Sequence, residues 1–93
     1  MGKNCYTYII TNKYHSVLYT GVTSDIHRRM FEHKNGSVPG FASQYSVNKL
    51  VYLEFFYYIQ DAIAREKKIK GMSRRKKEDL IAIENPNWRE LKI

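Results

Sequence analysis

The chain has 93 residues, enough for one domain spanning 1–93 with a single modest core. Sixteen Lys and Arg against nine Asp and Glu leave a net charge of +7, so a polyanion, above all nucleic acid, is the expected partner. One cysteine, Cys5, excludes an internal disulfide and a cysteine metal cluster, and no apolar run approaches the roughly 20 residues of a membrane span. No signal-peptide core is visible, so the expected setting is the reducing cytosol, without a membrane.

Residues 5–10 are rich in Tyr, Thr and Ile and read as a strand. A polar turn over 11–16 and a second strand over 17–22 complete an antiparallel hairpin with Lys13, Tyr14 and His15 at its tip. Ser24 and Asp25 are N-cap candidates for a helix that runs to Lys34 and closes at Asn35-Gly36. Residues 36–46, with Pro39 and two glycines, form an irregular connection. Residues 49–56 read as a third strand and the most buried one. Asp61 opens a second helix to Lys70, stopped by Gly71. Ser73 caps a third helix to Glu84, which Pro86 prevents from continuing. Trp88, Leu91 and Ile93 are expected to fold back on the core. The predicted class is α+β: a small three-stranded antiparallel sheet flanked by helices, in the order ββαβαα.

Helical spacing selects the chemistry. On the first helix, Ile26 and Met30 form an apolar pair, and Arg29 and His33 flank it at about 100° per residue. Arg29 and His33 therefore point partly inward, while His27 and Arg28 turn towards solvent. On the second helix, Ile59, Ala62, Ile63, Glu66 and Ile69 share one face, with the Glu66 carboxylate in an apolar stripe. A carboxylate there needs an arginine or a cation such as Mg²⁺. Lys67, Lys68, Lys70, Arg74, Arg75, Lys76 and Lys77 form the densest charge in the chain. Four successive cations from Arg74 oppose the helix dipole, which favours a phosphate-contacting role. Tyr8 and Tyr19 lead into the helix that carries Arg29, and Gly21 allows close backbone approach just before it. Tyr52, Tyr57 and Tyr58 read as core or surface packing residues. His15, His27 and His33 lack zinc-site spacing.

The ordered set Tyr6-Thr7-Tyr8, Tyr19-Thr20-Gly21, Arg28-Arg29, His33, Glu66, Lys70-Gly71-Met72-Ser73-Arg74-Arg75-Lys76 and Asn85-Pro86-Asn87-Trp88 resembles the GIY-YIG nuclease superfamily. It is most similar to small single-domain bacterial members, related to the N-terminal nuclease domain of the bacterial excinuclease. The resemblance implies an active site lined by Tyr8 and Tyr19, one of which helps activate water. It further implies Arg29 on the scissile phosphate, His33 in the same site, Glu66 as ligand of a single divalent metal (Mg²⁺ or Mn²⁺), and Asn85 completing the site. Two departures are Tyr6-Thr7 and Thr20 in the two triplets. A third is Ser43-Gln44 in the loop from Gly40 to Tyr45, where a Thr followed by a basic residue is usual.

The reading is a divalent-metal-dependent endonuclease acting on DNA, serving repair or recombination, with a protein partner for targeting. The alternative is a non-catalytic nucleic-acid-binding module that keeps the fold.

Overall fold

The strand-forming runs between residues 5 and 56 assemble into a sheet in the computed structural model, which describes residues 4–37, 40 and 45–93. Strand β1 is Cys5–Thr11, β2 is Leu18–Thr23 and β3 is Lys49–Phe56. Their spatial order is β2-β1-β3, with both neighbours antiparallel to β1. Helices α1 (Ile26–Lys34), α2 (Ile59–Lys70) and α3 (Arg74–Glu84) complete the ββαβαα order.

The pleat gives the sheet two faces. Tyr8 and Ile10 of β1 and Leu50 of β3 pack on one face against Ile26 and Met30 of α1. Ile9, Val51 and Tyr52 pack on the other against Ile69 of α2 and Ile81 of α3. A bulge makes this division possible: Ile9 faces Tyr52 while Ile10 faces Leu50, leaving Val51 as the extra residue. The displaced register puts Val51 and Tyr52 in one cluster and Leu50 and Leu53 in the other. Thr7 ties α2 to the sheet by donating its hydroxyl to the Ala62 carbonyl at 2.8 Å.

Local signals set several boundaries. The Asp25 carboxylate accepts from Arg28 N at 3.1 Å and starts α1. Ser73 accepts from Lys76 N at 3.2 Å and starts α3. Asn12 organises the hairpin tip through Ser16 N at 2.8 Å and Ser16 Oγ at 2.7 Å. The tail returns as expected at Trp88 and Leu91, with Leu91 N donating to Leu50 O at 2.8 Å, but Ile93 is exposed.

Three expectations need correction. The most buried strand is β1 rather than β3, because β1 holds the central place in the sheet. Helix α2 opens earlier than Asp61, at Ile59, with Tyr58 as N-cap and Asp61 within the first turn. Its buried line is Ala62 and Ile69, whereas Ile59 and Ile63 are exposed. As expected of packing residues, Tyr52 lies in the core, and Tyr57 and Tyr58 lie at the surface, where the Tyr57 ring meets Phe55 edge-on at 4.9 Å. Within the connection before β3, residues 38, 39 and 41–44 lie outside the described residues, so the Ser43-Gln44 reading has no structural counterpart.

Candidate active site

The site starts from a missing side chain. Gly21 on β2 is the cross-strand partner of Tyr8 on β1. A Cβ at residue 21 would lie 2.5 Å from Tyr8 Cζ and would also strike the phenol oxygen. Glycine therefore lets the Tyr8 ring lie across β2 in fully buried space. The phenol oxygen ends 3.1 Å from His33 Nε2, one helix layer away. His33 is brought there by α1, whose Ile26 and Met30 anchor the helix on the same sheet face. Tyr19 closes the group: its ring centroid is 5.8 Å from that of His33, and the Tyr8 centroid is 5.9 Å away, both edge-on.

Electrostatics tie two more residues to Tyr8. Burial, then the Tyr19 phenol and the Glu66 carboxylate, push its pKa up to about 12, while the charge and hydrogen-bonding capacity of Arg29 oppose them. Tyr8 is thus a neutral phenol at ordinary pH. A guanidinium only donates, so with Arg29 beside the oxygen the phenol hydrogen is directed to His33 Nε2. The imidazole then carries its own hydrogen on Nδ1, an atom that is buried and has no partner among the described residues. Burial first, and Arg29 second, hold His33 below its ordinary pKa of 6.5, with Glu32 partly compensating. His33 is therefore neutral at pH 7.

Arg29 is half-exposed, its Nε 3.3 Å from Glu32 Oε1. The other oxygen of Glu32 lies 3.4 Å from Arg28 Nε. Glu66, on α2, is also half-buried and pairs with Lys70 at 3.1 Å. Arg29 of α1 and Glu66 of α2 thus both bear on the buried Tyr8 phenol.

The whole constellation falls within a recognised unit. Residues 4–79 match the family model described as the GIY-YIG catalytic domain. The chain belongs to the GIY-YIG family. It is 40% identical over 77 residues to a UPF0213 protein of Staphylococcus saprophyticus, covering 83% of this chain and 93% of that one. A UPF0213 protein of Natronomonas pharaonis is 36% identical over 84 residues, covering 90% and 98%. The solution NMR structure of a UPF0213 protein from Bacillus halodurans superposes with a TM-score of 0.60 at 32% identity, covering 94% of this chain and 92% of that one. The fold and the nuclease family of the domain follow from these matches.

Against this GIY-YIG frame, Asn85 stands apart from the other expected site residues. It is the C-cap of α3, and its amide donates to Val51 O at 3.1 Å and to Arg89 O at 2.9 Å. Its carbonyl oxygen accepts from Arg89 N at 3.0 Å. The side chain is thus occupied in holding the tail to β3, and none of these partners belongs to the tyrosine cluster.

The basic run of the GIY-YIG domain also divides. Arg74 donates to Glu78 at 3.0 Å and to the carbonyls of His15 and Ser16 at 2.6 and 3.0 Å. It ties the hairpin tip to α3. Arg75 pairs with Asp79 at 3.4 Å. These partners, one helical turn on, offset the cost of cations in the first turn of α3. Lys67, Lys68 and Lys76 are exposed, Lys77 is half-buried, and these four form no ion pair among the described residues. Sequence reasoning missed Glu32; its spacing of three and four from Arg29 and Arg28 was the available signal. It also missed His15, which adopts φ 57°, stacks on Trp88 at 5.0 Å and accepts from Lys49 Nζ at 3.0 Å. Among the described residues no helix is long and apolar enough to cross a membrane.

Proposed function

We propose that this protein is a divalent-metal-dependent endonuclease that hydrolyses phosphodiester bonds in DNA. The observation that carries this reading is the convergence of Tyr19, Arg29, His33 and Glu66 on the buried Tyr8 phenol. Tyr8 is fully buried, so its part is to hold Arg29 and His33 in place. Tyr19 is only partly buried and is the phenol that orients the attacking water. Arg29 donates to the scissile phosphate and stabilises the charge that builds as water adds and the P–O bond breaks. Neutral His33 is the basic group behind the phenols.

Glu66 is the residue that would hold Mg²⁺ or Mn²⁺. No cluster of three or more His, Cys, Asp or Glu able to hold a metal occurs among the described residues. A lone half-buried carboxylate suits Mg²⁺, which takes one or two carboxylates and fills its remaining sites with water and substrate phosphate. When bound, such an ion supplies Lewis acidity to the leaving oxygen. Lys70 pairs with this carboxylate, and a bound ion would take its place.

Lys67, Lys68, Lys76 and Lys77 supply the flanking phosphate contacts. The proposed setting is DNA repair or recombination in the cytosol. The test incubates the purified protein with labelled single-stranded, duplex, branched and damaged DNA in Mg²⁺, in Mn²⁺ and in EDTA. Cleavage that EDTA abolishes is expected. Salt-sensitive binding without cleavage of any DNA would show a binding module instead.

A further inference from the structure

Glu32 lies on α1 one turn beyond Arg28 and Arg29, and it divides its two carboxylate oxygens between them. Oε1 is 3.3 Å from Arg29 Nε and Oε2 is 3.4 Å from Arg28 Nε. The carboxylate meets each guanidinium at its Nε, and each guanidinium has Nη donors besides. Had the carboxylate taken the Nη fork, it would occupy the place where a phosphate binds. With Thr23, Ser24 and Asp25 these three side chains border a hollow of about 240 Å³. Side-chain exposure is 37% for Arg29 and 30% for Glu32, against 75% for Arg28. An unrestrained Arg29 at this half-open position has rotamer freedom to lose when phosphate arrives. Surface pairs at this helical spacing are common and weak. This one differs because the same guanidinium acts on the buried Tyr8 oxygen.

We propose that Glu32 is a positioning residue, whose carboxylate fixes Arg29 by its Nε edge so that the Nη edge faces Tyr8 and the scissile phosphate. The proposal rests on the nuclease reading of the site. Preorganising Arg29 in the free protein removes an ordering cost from the reacting complex.

Glu32→Gln tests it, because positioning and simple charge deletion move two readouts in opposite directions. The first is the His33 pKa, followed by NMR titration. Arg29 lowers it, Glu32 raises it, and Arg29 has the larger influence. If Arg29 keeps its place, loss of the Glu32 charge lowers the His33 pKa; if Arg29 is released, the pKa rises. The second readout is DNA cleavage. Deleting an anion beside the phosphate site favours DNA binding, whereas a displaced arginine lowers kcat by about 10- to 100-fold.

The expected result is a raised His33 pKa, a lowered kcat, and Kd for labelled DNA in EDTA unchanged or tighter, with Glu32→Asp partly restoring kcat. A His33 pKa that falls or stays the same, or an undiminished kcat, overturns the proposal. Should the wild type cleave no DNA, the nuclease reading fails on its own account. The His33 titration then decides the positioning of Arg29, a rise supporting it and any other result overturning it.

Discussion

The Tyr8 ring crosses β2 where residue 21 offers no side chain, and that vacancy decides how the phenol meets His33. Gly21→Ala should therefore displace the ring rather than merely stiffen a strand. We expect a stability loss of about 1–3 kcal/mol from overpacking, measured by denaturant unfolding, with cleavage lost in the folded fraction. His33 makes a second expectation at this scale. Burial, then Arg29, hold its pKa below 6.5, so the unfolded chain takes up the proton more readily than the native one. Stability is then fully present above the ordinary value of 6.5 and falls as pH drops through the lower native value. His15 shifts the same way through burial and Lys49. Melting temperature against pH should show an acid-side slope that flattens in part in His33→Gln and in part in His15→Gln.

Among the elements, the turn from α2 into α3 carries two kinds of cation. Arg74 is bound to the hairpin tip, whereas Lys76 and Lys77 form no ion pair among the described residues. Arg74→Ala should cost about 1 kcal/mol of stability and leave the salt dependence of DNA binding nearly unchanged. Lys76→Ala and Lys77→Ala should each lower the slope of log Kd against log salt by about 1. This division was not legible in the sequence, because the carbonyl partners of Arg74 lie 58 and 59 residues away. Caps were legible, since Asp25 and Ser73 act on donors three residues on. Asn85 marks the other limit: its motif position suggested chemistry, but its bonds run to Val51 and Arg89. Asn85→Ala should lose about 1–3 kcal/mol from unsatisfied buried groups. Where the variant remains folded, its cleavage should fall far less than that of Glu66→Ala.

Over the whole molecule, the ββαβαα order and the α+β class could be read from apolar periodicity and turn residues. Strand order could not, since placing β1 in the centre depends on pairing Cys5 with Phe56 and Tyr6 with Phe55 across the chain. The buried face of α2 differs from the predicted one: Ile59 and Ile63 fit the stripe, but the helix packs through Ala62 and Ile69, with Thr7 bonded to the Ala62 carbonyl. Glu66 keeps its place nonetheless because it neighbours the true line of Ala62 and Ile69. What this architecture achieves is to bring two helices from opposite sheet faces to bear on one phenol.

The most direct measurement is single-turnover DNA cleavage in Mg²⁺ by wild type, Arg29→Ala and Glu66→Ala, with Kd for the same DNA determined in EDTA. If the Tyr8 cluster is the catalytic centre, each variant loses about 10²–10³ in rate while binding changes by only a few-fold. Cleavage by either variant at the wild-type rate would contradict the account.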